Sequence, residues 1–171
     1  MAAALASEPR CGAVRVVAID GPSGAGKSTL ADAVASDLDC PVMRVDLLYP
    51  GWTGLAEGVR LLHDLVLVPL SEGRRARYRA WDWAADAWGA EHTLDPTPFL
   101  VVEGCGSSTG AAGGFAAVTV WLDAPADVRR MRALARDGEV YAPFWEVWAT
   151  QERALFGPDR TRERADLHLG G

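Results

Sequence analysis

Apolar positions along this chain change period several times, and each change marks an element. "AVRVVAID", residues 13–20, is a β-branched apolar run that reads as a buried strand; a glycine-rich turn and "KSTLADAVASDL" follow it. In that second stretch Leu30, Ala33, Val34 and Leu38 recur at helical spacing, giving a face to lay against a sheet. "PVMRVD", residues 41–46, predicts a short second strand. Leu55, Val59, Leu62 and Val66 then predict a helix that Pro69 should end. Trp81, Ala84, Ala85 and Trp88 also fall three and four apart, so "RYRAWDWAADAW" reads as a further helix. After the "DPTP" loop, "FLVVEG" at 99–104 is continuously apolar, as a strand inside a parallel sheet is. "GCGSSTGAAGG" is expected to be mobile or irregular. "AAVTVWLDAP" gives the next strand, and Pro125 suits the start of a helix through Arg136. The helix "FWEVWATQERALF" and the strand "ADLHLG" close the pattern.

Strands alternating with helices imply an α/β fold with a central parallel sheet of five strands. A length of 171 residues suits one domain over 1–171, with residues 1–12 expected to form a frayed tail. No apolar run approaches the roughly 18 residues of a membrane span, and no basic stretch precedes the short apolar patch at the start. The expected protein is therefore soluble, without a membrane partner. Cys11, Cys40 and Cys105 are far apart and odd in number, which suggests neither a disulfide framework nor a zinc site and fits a cytoplasmic protein. A formal net charge of -6 argues against a nucleic-acid partner, since such binders need a basic face to displace counterions.

The turn after the first strand carries the chemistry. Gly21-x-x-x-x-Gly26-Lys27-Ser28 is a P-loop in the strand-loop-helix context such a loop requires. Its glycines let the backbone of Gly21, Ser23, Gly24, Ala25, Gly26, Lys27, Ser28 and Thr29 curl around phosphate, and the helix N-terminus adds partial positive charge. Lys27 is the lone lysine among 17 basic side chains. A compact ammonium on a flexible stem reaches between phosphates where a planar guanidinium would not fit. Ser28 can place its hydroxyl on a Mg²⁺ that bridges those phosphates.

Beyond that loop the chain resembles the uridine kinase group of P-loop nucleoside kinases, and more loosely the cytidylate kinases, whose loop also reads like "DGPSGAGKST". "DLLY", Asp46 to Tyr49, resembles the D-x-x-Y after the second strand of uridine kinases, where the Asp faces the hydroxyl to be phosphorylated. "VVEG", with Glu103, resembles their third strand. "DVRRMRALARD" resembles the lid helix whose arginines meet the phosphates, and "RADLHLGG" the terminal strand near the adenine. The resemblance implies the three-layer P-loop fold with strand order 2-3-1-4-5. It places Asp46 and Glu103 at the carboxyl ends of strands beside the loop, where ligands gather in open α/β sheets.

On that resemblance the chain is expected to use Mg·ATP. Lys27 neutralises phosphate, Asp46 acts as base, Glu103 with Ser28 holds Mg²⁺ or binds substrate, and Arg132 and Arg136, four apart on one helical face, close over the transferring group. Asp46 as a cap of the turn after its strand, and the two arginines as solvated surface, are the competing assignments. Tyr49, Trp52, Trp81, Asp82 and Trp83 are candidates for the acceptor pocket, with core packing as the alternative; Trp88, Trp145 and Trp148 are assigned to the core. The favoured function is transfer of the γ-phosphoryl of ATP to a hydroxyl of a small molecule, a nucleoside first. The alternative is a nucleotide-binding module that senses nucleotide and acts on a partner protein. It is motivated by a lid that runs from Arg136-Asp137 straight into "GEVYAPF", without the longer extension of uridine kinases.

Overall fold

The structure is a computed structural model and describes residues 1–170. In chain order it comprises α1 (Ala2–Ala6), β1 (Arg15–Asp20), α2 (Lys27–Leu38), β2 (Val42–Arg44), α3 (Leu55–Leu61), α4 (Val68–Ser71), β3 (Ala76–Asp82), β4 (Ala87–Leu94), β5 (Phe99–Glu103), α5 (Gly110–Gly113), β6 (Ala116–Leu122), α6 (Ala126–Asp137), α7 (Trp145–Asp159), α8 (Thr161–Arg164) and β7 (Leu167–Leu169). Five parallel strands form the main sheet in the order β2-β5-β1-β6-β7. Counted within that sheet, this is the expected 2-3-1-4-5.

Alternation along each strand explains the layering. Val16 of β1 and Leu100 and Val102 of β5 point into one core with Leu55, Leu70, Trp145 and Trp148. Val17 and Ile19 of β1 and Val101 of β5 point into the other, with Ala4, Ala31 and Ala35. Because successive side chains of a strand face opposite ways, a continuously apolar strand must be covered on both sides. Helices α1 and α2 cover one face, and α3, α4 and α7 the other. The buried stripe of α2 is Ala31 and Ala35, flanked by Leu30, Val34 and Leu38, while Ala33 of the expected face is exposed. Register aligns the strand ends: Ile19 lies opposite Glu103, and Arg44 opposite Glu103 from the other side.

Four expectations are corrected. The first twelve residues are not frayed: Ala4 is buried in the second core, Arg15 donates to the Ser7 carbonyl at 2.8 Å, and Cys11 is fully buried with its thiol on the Leu67 carbonyl. Pro69 does not end its helix. A π-helical stretch, Leu62–Leu67, widens the turn ahead of it, and α4 carries on to Ser71 with the proline in its first turn, where a missing N–H leaves no bond unmade.

Residues 76–94 are not helical but an antiparallel hairpin, β3 paired with β4. Asp82 accepts from the Ala84 and Ala85 N–H groups, both at 3.0 Å, and Asp86 takes a left-handed φ of 50°, which together close the turn. Trp81 then faces Trp88 across the strands with ring centroids 5.1 Å apart, so a seven-residue spacing that suits two helical turns serves a cross-strand pair instead. The fourth correction concerns the mobility expected of the glycine-rich stretch after β5, which is irregular from Gly104 to Thr109, as expected, but firmly packed. Ser107, Ser108 and Thr109 within it are buried, and it wraps the carboxylate of Asp20. That carboxylate accepts from Gly21, Gly106 and Ser108 N–H groups at 2.7, 2.8 and 2.8 Å and from the Ser108 hydroxyl at 2.9 Å. No helix among the described residues is long and apolar enough to cross a membrane.

Candidate nucleotide and acceptor site

A cavity of about 830 Å³ opens at the carboxyl ends of the sheet strands. One wall is the loop between β1 and α2, contributing Ser23, Gly24, Gly26, Lys27, Ser28 and Thr29. The loop holds its curl through close approach: a Cβ on Gly24, whose φ is 80°, would overlap the Arg129 carbonyl. Two side chains fasten the Ser23 peptide, one from each neighbouring helix. Glu152 of α7 accepts the Ser23 N–H at 2.6 Å, and Arg129 of α6 donates to the Ser23 carbonyl at 3.2 Å. Neither was legible in the sequence, because 129 and 106 residues separate these partners and no local spacing signals them.

Lys27 is buried, with its ammonium on the Pro22 carbonyl at 3.0 Å and the Cys105 sulfur at 3.5 Å. Burial works against its charge, but the acidic groups of Cys105, Glu152, Glu103 and Asp20 outweigh that and leave its pKa raised. Cys105 is itself held as a neutral thiol, chiefly by burial, and donates to Glu152 at 3.3 Å. Acidic groups gathered around one ammonium beside the loop suit a site that receives a metal-bound polyphosphate rather than a bare anion.

The Ser28 hydroxyl lies 3.2 Å from a Glu103 oxygen, and the same oxygen accepts from Arg44 at 3.0 Å. Arg44, which the sequence did not single out, also pairs with Asp32 at 2.6 Å and so ties β2 to α2. A hydroxyl and a carboxylate are hard oxygen donors of the kind Mg²⁺ takes in small number, with phosphates and water completing its shell. The residues present fit that ion.

The facing wall carries Asp46, Tyr49, Trp52, Trp83, Arg132, Arg136, Tyr141 and Trp148. Asp46 follows β2 and lines the cavity with its side chain open to solvent. Partial desolvation by the cavity walls, and then nearby Glu103, push its carboxyl above the ordinary aspartate range, against the pull of Arg44 and Arg136. The Trp83 indole donates to the Asp46 carbonyl at 3.2 Å. Tyr49 donates to the Cys105 carbonyl at 2.8 Å and fixes the wall between β5 and the loop after it. Trp52 is the centre of an aromatic stack, nearly parallel to Tyr141 at 4.7 Å and to Phe144 at 5.3 Å, with Trp83 tilted at 4.6 Å.

The arrangement thus brings together the loop residues, Asp46, Glu103, Tyr49, Trp52, Arg132 and Arg136 around one space. It does not bring Trp81 and Asp82 there: Trp81 is spent on Trp88, and Asp82 on the hairpin turn. Trp145 and Trp148 are buried in the core, as expected, whereas Trp88 is half-exposed on the hairpin. Arg136 is held by its neighbour Asp137 through two hydrogen bonds, at 2.8 and 2.7 Å. Two donors of the wall, the Tyr141 hydroxyl and the Trp148 indole N–H, are buried without a hydrogen-bond partner among the described residues. Each such group costs about 1–3 kcal/mol.

Residues 17–80 match the family model for cytidylate kinase, a stretch that takes in the loop and Asp46 but ends before α6. No curated protein sequence matches the chain. Among solved structures, a possible uridine kinase from Bacillus stearothermophilus is similar over 91% of this chain and 88% of its own, at 19% identity and a TM-score of 0.66. A candidate fructose transport system kinase from Silicibacter sp. TM1040 is similar over 91% and 89%, at 20% identity and a TM-score of 0.56. Strand order, loop and these likenesses together define the fold as that of the P-loop kinases.

Proposed function

We propose that this chain is a Mg·ATP-dependent kinase that moves the γ-phosphoryl group to a hydroxyl of a small molecule, with a nucleoside as the favoured acceptor. One observation carries the reading: a P-loop, the Asp46 carboxylate just after β2 and a set of aromatic side chains line one cavity. Phosphoryl transfer asks mainly for alignment and charge neutralisation, so it needs this arrangement more than it needs covalent chemistry.

The loop N–H groups and Lys27 hold the phosphates, and Lys27 stays charged because its carboxylate neighbours keep it so. Ser28 and Glu103 are the residues that would hold Mg²⁺, which supplies charge neutralisation on the phosphate oxygens. Asp46 orients the acceptor hydroxyl and takes its proton; partial desolvation and then Glu103 push its carboxyl up, the direction that strengthens a base. Arg132 and Arg136 line the same space and neutralise charge that develops between loop and acceptor. Trp52, Trp83 and Tyr141 give the cavity an aromatic lining, which favours an acceptor that carries a nucleobase over an aliphatic alcohol. The partial match to the cytidylate kinase model fits a nucleobase-bearing acceptor too, a nucleotide in that family rather than a nucleoside.

A second reading is favoured by one contact. Arg136, taken as a lid arginine, is already bound by Asp137, so the chain would bind nucleotide and respond to it without transferring phosphate to a small molecule. ADP formation measured against a panel of nucleosides, nucleotides and small alcohols separates the two. A kinase forms ADP only when its acceptor is present. Slow hydrolysis indifferent to every acceptor would favour the sensor.

A further inference from the structure

The Tyr141 hydroxyl is a group with no task in the chemistry above. It lies on the connection between α6 and α7 and is 1% exposed, the least exposed side chain of the aromatic wall. Its ring is fixed by Trp52 on its face and by Trp145 on its edge, 5.6 Å away. The groups around the phenol are Ser23 of the loop, Glu152, Cys105 and Arg136. Ser23 is close, yet the geometry falls short of a hydrogen bond, and no other described residue supplies one. Burial, foremost, keeps the phenol protonated and so a donor at any physiological pH.

A buried, unpaired donor on a residue that lines a ligand cavity points to an acceptor brought by the ligand. The position of Tyr141 selects which part of the ligand. The loop runs from Ser23 to Thr29, and Thr29 leads away into α2; Tyr141 lies at the Ser23 end, beside Arg136, which in turn lies near Asp46. A phosphoryl group there is the last of the chain rather than the first.

We propose that Tyr141 donates its hydroxyl to the terminal phosphoryl group of the bound nucleotide, so that the wall stacked against the acceptor also distinguishes a triphosphate from a diphosphate. The proposal rests on nucleotide binding at the loop but not on any particular acceptor. A hydrogen bond to a charged oxygen that only the triphosphate offers should appear as a difference in affinity between the two nucleotides.

Titration calorimetry with a non-hydrolysable ATP analogue and with ADP, both with Mg²⁺, on the parent protein and Tyr141→Phe tests it. The phenylalanine keeps the ring contacts and removes the oxygen alone. The expected result is about tenfold weaker binding of the triphosphate with ADP affinity changed less than twofold. Equal losses for both nucleotides would assign Tyr141 to structure, and no loss for either would also overturn the proposal. A parent protein that binds neither nucleotide would remove the kinase reading itself, whereas a parent that binds both but phosphorylates no acceptor leaves this comparison fully readable. Should Tyr141→Phe not fold, the three tyrosines of the unaltered chain, labelled at the ring carbon bearing oxygen, give a second measurement. The Tyr141 signal, assigned with Tyr49→Phe and Tyr78→Phe, should move with the triphosphate analogue and not with ADP; a signal that responds identically to both would count against the proposal.

Discussion

The two walls of the cavity are built by opposite strategies. The cradle wall is one short run of chain, Gly21 to Thr29, locked before any ligand arrives: Gly24 sits against the Arg129 carbonyl, and Arg129 and Glu152 hold the Ser23 peptide from both sides. The other wall is assembled from separate segments. Asp46 comes from just after β2, Trp52 from the loop before α3, Trp83 from the hairpin turn, Arg132 and Arg136 from α6, Tyr141 from the connection after α6 and Trp148 from α7, and rings in contact join several of them. A rigid, contiguous cradle suits a ligand common to a whole fold, since one backbone curl fits every polyphosphate. A patchwork wall can change its acceptor by changing one segment, with the cradle untouched. Nucleotide recognition and acceptor recognition should therefore separate under mutation.

The sharpest separation is expected at Asp46. Asp46→Asn should lower turnover by roughly 10² to 10⁴ while nucleotide affinity stays nearly unchanged; steady-state kinetics beside calorimetry would show it, and full activity in the variant would remove Asp46 from the mechanism. On the other wall, Lys27→Ala should erase most of the stabilisation by nucleotide, which for a ligand at 100 times its Kd amounts to about 2.7 kcal/mol. Thermal unfolding with and without Mg·ATP reads this directly, and an undiminished shift in the variant would contradict the role of the ammonium.

A smaller effect is predicted at Trp52, whose stack with Tyr141 and Phe144 ties the acceptor wall together. Trp52→Ala should raise the KM for the acceptor by about tenfold, the loss of one or two aromatic contacts, with the KM for ATP moved less than twofold. Parallel rises in both constants would show that the walls are not independent. The subtlest test is the pH profile. Asp46 has its folded pKa raised, first by the surrounding protein and then by Glu103, and a base works only when ionised. Turnover should be full above that raised pKa and fall as pH drops through it, so half of the activity is lost at a pH above the ~3.9 of an ordinary aspartate. A limb at or below that ordinary value would mean the wall does not desolvate Asp46.

The same division explains what the sequence disclosed. The cradle was legible because its physics is local: a strand, glycines at fixed offsets, a lysine and a serine lie within a dozen residues. The strand order came from resemblance, and apolar runs alone marked the strands that must be covered on both faces. The hairpin was misread because Trp81 and Trp88 satisfy helical spacing as well as a cross-strand pair. Only the Asp82 turn, a backbone matter, decides between them. The pinning of the loop by Glu152 and Arg129 had no local signature, and neither did the burial of the Ser107–Thr109 stretch around Asp20. Both depend on contacts made across most of the chain.

The grip of Arg129 on the Ser23 carbonyl has a mechanical corollary for α6. Fastened to the loop near its first turn and to the core at Ala133, the helix carries Arg132 and Arg136 on the same rigid rod that grips the cradle. Their reach from the loop is therefore set by helical pitch, at about 1.5 Å of axial rise per residue beyond Arg129.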